Sequence, residues 1–167
     1  MKITGIPAMS QTPLQLDSYF FPKVHVEANP DFLPGDAPKE QDVQIDVNVG
    51  LLGSKDEPRR FQLTLDIGGV SAKDKPLPYK IEITAVAFIS VDHELNHPDI
   101  ERLVQVNGAS MLYSSARELV LMVTGRGPWN AFQLPTINFH GVIPPSAEVK
   151  EATKKAGRER ASKPSER

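Results

Sequence analysis

The chain contains no cysteine, which removes disulfide scaffolds, thiol nucleophiles and cysteine-based zinc sites and leaves nothing that points to an oxidising compartment. It also lacks any run of about 18 apolar residues, the length that a membrane-spanning helix requires. Met1 to Tyr19 carry Lys2 but no continuous apolar stretch of the kind a secretory signal uses, so the expected location is the cytoplasm, without membrane insertion. No glycine-rich loop is placed to cradle phosphate. Gly68-Gly69 interrupts a strand pattern, where a bulge is the plain explanation, and Gly125-Arg126-Gly127 closes a helical one. No nucleotide site follows, and no cofactor is expected. Positive charge is not concentrated on the body of the chain either. Residues 1–146 hold 12 Lys and Arg against 17 Asp and Glu, a balance of −5, whereas residues 147–167 hold 7 against 4, a balance of +3. An acidic body argues against nucleic acid as a partner, because phosphate contacts need clustered cations on a folded face.

What remains is material for one core. A length of 167 residues with 40% hydrophobic and 24% charged side chains is the balance of a single globular domain. Residues 1–13, rich in Gly, Pro, Ser and Thr, read as a flexible N-terminal segment. Residues 14–143 read as the folded domain. Residues 144–167 open on Pro144-Pro145 and continue as a Lys, Arg, Glu and Ala tail without an apolar stripe, for which disorder is expected.

Four segments alternate with the two-residue period of half-buried strands. In the first, Phe20, Val24 and Val26 share one face while Lys23, His25 and Glu27 share the other. The second sets Val43, Ile45, Val47 and Val49 against Gln44, Asp46 and Asn48. The third sets Phe61, Leu63, Leu65 and Ile67 against Gln62, Thr64 and Asp66, and the fourth opens with Ile81 and Ile83 against Lys80, Glu82 and Thr84. Turn-forming stretches separate them, so an antiparallel meander is expected. The fourth segment then becomes apolar on both faces in Ala85-Val86-Ala87-Phe88-Ile89, so something must cover the second face.

After Pro98 the period turns helical. Ile100, Leu103, Val104 and Val106 predict a first short helix, which Gly108 interrupts, and a second runs from about Ser110 to Thr124. Apolar residues cover much of the second helix, which predicts burial between subunits through Leu119, Val120, Met122 and Val123. Trp129 to Phe139 read as an extended connector that packs its aromatics.

His93-Glu94-Leu95-Asn96-His97 matches H-E-x-x-H, the spacing that places two imidazoles on one helical face around zinc with the glutamate as general base. The context opposes that reading. Pro98 pushes the residue before it away from helical geometry, and strand residues precede the motif with only Asp92 between. A surface loop is expected there, with a small zinc hydrolase using His93, Glu94 and His97 as the rival function.

The stretch Leu112-Tyr113-Ser114-Ser115-Ala116-Arg117-Glu118, then Arg126-Gly127, then Leu134-Pro135-Thr136-Ile137-Asn138-Phe139 resembles the SecB family of export chaperones. That family carries an aromatic-Pro-aromatic-Ala-Arg-Glu helix start, an Arg-Gly helix end and a Leu-Ala-Pro-Val-Asn-Phe connector. The resemblance implies an α+β fold, a four-stranded antiparallel β-meander with helices packed on one face. It implies a homotetramer, a dimer of dimers with the long helices between the sheets. It implies a chaperone, not an enzyme: an ATP-independent holdase binding unfolded clients for export and translocation. Val43, Ile45 and Val47, with Phe20 and Trp129, match groove-lining positions, although the Val43 face also reads as plain core. Glu27 and Glu82 match acidic positions that dock the SecA motor, but Lys23 stands where an acid is usual and Lys80 where an apolar residue is usual. After Phe139 the family continues into a second helix, which His140-Gly141-Val142-Ile143-Pro144-Pro145 cannot propagate. A dedicated SecB-like chaperone of one client, such as an antitoxin, is the alternative.

Overall fold

Alternating apolar residues can bury one face only if the strands find a common partner layer. In a computed structural model, which describes residues 13–33, 35, 38, 39, 42–72, 75–92, 95 and 99–143, that layer is a single long helix. Strands β1 (Leu14–Ala28), β2 (Val43–Gly53), β3 (Arg60–Ala72) and β4 (Tyr79–Val91) form one sheet, and helix α1 (Ile100–Thr124) packs against it, followed by the single turn α2 (Phe139–Val142). The His93, Glu94 and His97 motif, the N-terminal segment up to Thr12 and the tail from Pro144 lie outside the described residues.

All pairings are antiparallel, in the order β1-β4-β3-β2. The order departs from a plain meander in one place: β1 lies beside β4 and not beside β2, the Greek-key variation in which one strand returns to the far side of three hairpin-linked ones. The composition of the strands explains it. β4 is apolar on both faces and suits the interior of the sheet. β1 carries Pro22 and register shifts at Leu16/Ser18 and Phe20/Lys23, features tolerated at an edge.

The second shift reverses part of β1. Phe20 pairs with Val86, whereas Val24 and Val26 pair with Ile83 and Ile81. Paired residues share a face and successive ones alternate, so Phe20 lies on the opposite face from Val24 and Val26. The expected common face of these three residues is thereby corrected; Phe21-Pro22 is the insertion responsible.

One face of the sheet is dry. Phe61, Leu63, Leu65 and Ile67 of β3 and Ile81, Ile83, Ala85, Ala87 and Ile89 of β4 pack with Val104, Val106, Ala109, Leu112, Tyr113, Ala116 and Val120 of α1. Asp99 caps the helix, its carboxylate accepting from Arg102 N at 3.2 Å. The two expected helices are one, running unbroken through Gly108. A Cβ on Gly108 would stand 2.5 Å from Ile89 Cδ1 and 2.9 Å from Leu63 Cδ1, so this glycine is the point of closest approach between helix and sheet and not a break. α2 is one turn, in keeping with the prolines that follow it.

The connector after α1 is tied down by its backbone. Tyr79 OH accepts from Trp129 N at 3.1 Å and lies 3.1 Å from Asn130 O, Arg117 Nε donates to Leu134 O at 2.9 Å, and Tyr113 OH donates to Pro135 O at 2.6 Å. Those bonds hold Leu134 and Phe139 in the core and lay Trp129 and Phe132 half-buried along the sheet end. Residues Tyr113 and Arg117 of the sequence signature therefore serve to fix the connector to the helix.

Candidate functional site

Where β2 begins, the connector and the segment after β1 meet it and leave a groove of about 410 Å³ lined by Phe32, Val43, Pro78, Trp129 and Phe132 among others. Trp129 is fixed there by two contacts. Its indole Nε1 donates to Asn29 O at 2.9 Å, and its ring lies 5.7 Å from that of Phe32. One edge of the indole is thereby satisfied while the ring remains half-buried, which is how an aromatic presents apolar surface with its polar atom already bonded. Val43, Ile45 and Val47 are also half-buried on the same edge strand, and Ile45 and Val47 pack on the core.

Of the five residues matched to groove positions, the structure brings Val43 and Trp129 into one lining and sets Ile45 and Val47 along the strand leading from it. Phe20 is not brought together with them. It faces the other side of the sheet, where it lies 6.4 Å from the Phe88 ring. Phe32 and Phe132, absent from the sequence reading, complete the lining. Phe32 stands outside any strand or helix, so no periodicity marks it. Phe132 lies in the connector whose packing the sequence did suggest.

The helix surface also sorts itself. Val120 is fully buried in the protomer core and has no surface to offer a second subunit, which corrects its assignment to an interface. Met122 is 53% exposed and Leu121 and Val123 are exposed beside it, while Leu119 is half-buried. The last turns of α1 thus carry an apolar surface that nothing among the described residues covers.

Glu27 and Glu82 lie on the sheet face away from the helix, Glu82 opposite His25 and Glu27 opposite Lys80. Glu82 is engaged within the chain: Lys23 Nζ donates to it at 2.7 Å and Lys80 Nζ lies 3.6 Å away. The Lys23 hydrogen bond and charge, with Lys80 adding to them, hold the Glu82 carboxyl below the usual glutamate range. Because the folded value is the lower one, whatever stability the cluster contributes is present above the ordinary glutamate pKa and disappears as pH falls through the folded value. Lys23→Gln is expected to bring the Glu82 titration back up towards the ordinary range, measured by carboxyl NMR; an unchanged midpoint would show that Lys23 is not the cause. Glu27 has His25 Nε2 at 3.3 Å.

Among the described residues no group of three or more His, Cys, Asp or Glu is arranged to hold a metal ion, and no helix is long and apolar enough to cross a membrane.

Comparison with known proteins gives a family match and two distant folds. Residues 12–147 match the family model for preprotein translocase subunit SecB. No curated protein matches. Similar solved structures include a Mycobacterium tuberculosis SecB-like chaperone in complex with a ChAD peptide from the HigA1 antitoxin, at 16% identity over 75% of this chain and 91% of that one, with a TM-score of 0.48. Another is a protein of unknown function from Streptococcus agalactiae, at 16% identity over 74% of this chain and 97% of that one, with a TM-score of 0.46.

Proposed function

The chain belongs to the SecB family, whose members are chaperones and not enzymes, and on that premise we propose that it is an ATP-independent holdase that captures non-native polypeptides in the groove at Val43 and Trp129. The groove itself carries the reading: apolar walls at an exposed sheet edge, with the one polar atom of Trp129 already bonded inside the chain. A client side chain set against Phe32, Val43, Trp129 and Phe132 leaves water without breaking the Trp129 Nε1 hydrogen bond, at about 25 cal/mol per Å² of apolar surface buried. Contact that depends on area and not on matched hydrogen bonds tolerates unrelated client sequences.

The working form is a homo-oligomer in the cytoplasm, a dimer of dimers closed through the exposed apolar end of α1. Met122→Glu is expected to convert it to a smaller species, because a carboxylate would have to be desolvated in an apolar contact; sedimentation equilibrium reads the mass, and an unchanged mass places the contact elsewhere. Export remains the leading role for the captured client. A dedicated role, guarding one client such as an antitoxin, is the second reading, and the lysine pair on Glu82 favours it. Glu27 and Glu82 are the residues that would meet a SecA motor, and one of the two is already occupied by cations of its own chain.

The test of the holdase is suppression of aggregation. The purified chain is expected to keep a chemically denatured protein from scattering light at near-equal concentration, without nucleotide and unaffected by chelator. Scattering that proceeds as in buffer alone contradicts the proposal. Binding to a SecA-type motor then separates the two roles: none detected removes the export reading.

A further inference from the structure

Three segments meet where the indole of Trp129 is fixed: the turn after β1, the entry to β4 and the connector. Asn29 joins all three. It is the residue after β1, half-buried, and its backbone N donates to Pro78 O at 2.8 Å, just beyond the Ala28–Tyr79 pair that ends the β1–β4 ladder. Its side-chain Nδ2 donates to Leu77 O at 2.9 Å, and its Oδ1 accepts from Asp31 N at 3.0 Å. Its carbonyl accepts twice. Phe32 N donates to it at 3.3 Å, closing a turn with Asn in the first position and Pro30 in the second, and Trp129 Nε1 donates to it at 2.9 Å.

One carbonyl therefore sets two aromatic rings. Phe32 and Trp129 both line the groove and stand 5.7 Å apart, while Asn29 is not part of the lining itself. The side chain decides where that carbonyl points. A single planar amide supplies the donor to Leu77 O and the acceptor to Asp31 N. An ionised aspartate in its place keeps the acceptor and loses the donor, and alanine loses both. The bond to Asp31 N is the local turn that asparagine side chains make with backbone two residues on; the bond to Leu77 O ties that turn to the neighbouring strand.

We propose that Asn29 is the positioning residue of the capture groove: its side chain holds the Asn29 carbonyl, and the carbonyl holds Phe32 and Trp129 as one preformed wall. Asn29 acts through the indole and not by contact with the client. A wall already in place spares each encounter the cost of ordering two mobile rings. Resting on the holdase reading, this role adds to it the group that keeps the groove in its binding-competent form. Its mark is dependence on Trp129. A residue that only stabilises the fold matters with or without the indole, whereas one that acts through the indole matters only while the indole is there.

Trp129 is the one tryptophan of the chain, so the intrinsic fluorescence of the full-length protein reads its setting before any client is added. Asn29→Ala is expected to shift the emission to the red and to raise acrylamide quenching, with far-UV circular dichroism unchanged. Asn29→Asp, which keeps the bond from Asp31 N, should lie between Asn29→Ala and the unsubstituted chain. Capture of a labelled, denatured protein should weaken about fivefold in Asn29→Ala, the worth of one neutral hydrogen bond. In a Trp129→Ala chain the same change should leave the remaining affinity within about twofold. Unchanged emission and quenching in Asn29→Ala, or undiminished capture, would overturn the proposal, and an equal loss in the Trp129→Ala background would make Asn29 a structural residue only. An unsubstituted chain that captures nothing is a different result: it overturns the holdase reading, and the role in capture with it.

Discussion

Val43→Asp is expected to weaken capture of a denatured client by at least about thirtyfold while leaving the fold unchanged. Val43 stands at the start of edge strand β2, half-buried, and forms part of the groove lining with Trp129 and Phe132. A client residue that covers about 80 Å² of this wall gains about 2 kcal/mol from it, and a carboxylate in the wall removes that gain. It also adds the cost of taking a charge out of water whenever a client closes over it. The fold has no comparable stake, since an exposed-edge position lets the carboxylate turn to solvent. Trp129→Ala should weaken capture less cleanly, because the indole also bonds Asn29 O and packs on Phe32. Fluorescence anisotropy of a labelled, denatured protein reads the affinity and far-UV circular dichroism the fold. Affinity within twofold of the unsubstituted chain would show that the groove is not where clients bind.

The largest effect on stability is expected at Gly108. A methyl there would meet the δ-methyls of Ile89 and Leu63, both fully buried. Alanine in place of glycine improves helix propensity by about 1 kcal/mol, which offsets part of the crowding. Valine adds two further methyls at the same contact and gains less from propensity, so overpacking prevails. Gly108→Val should lose about 2–3 kcal/mol, seen as a lower urea midpoint with the slope preserved. Gly141→Ala is the control: nothing lies within 4 Å of its added Cβ, and its midpoint should move little. If Gly108→Val unfolds at the same midpoint, α1 does not approach the sheet as closely as described.

The alternation of β2 and β3, and the double-sided apolar run in β4, made the sheet and its central strand legible from residue order alone. Strand neighbours were another matter. Local turn chemistry favours sequential pairing, and nothing local states that β1 joins β4. Phe20 was misplaced for a similar reason: a strict two-residue count cannot register the Phe21-Pro22 insertion, and every residue on one side of a bulge changes face relative to the other. Gly108 read as an interruption because composition shows what glycine costs a helix and not what it allows a helix to approach. Val120 and Met122 looked alike as apolar residues on a crowded helix, yet the first is in the core and the second faces outwards. The groove role of Trp129 and Val43 entered only through the resemblance to SecB; their joint lining depends on a connector held by Tyr79, Tyr113 and Arg117 to distant backbone.

The most direct measurement is methyl and indole NMR on the assembled protein as a chemically denatured polypeptide is titrated in. Occupation of the groove predicts saturable shifts of the Val43, Ile45 and Val47 methyls and of the Trp129 indole proton, with none when the same polypeptide is added folded. Signals that stay in place there at saturating denatured chain would contradict the account.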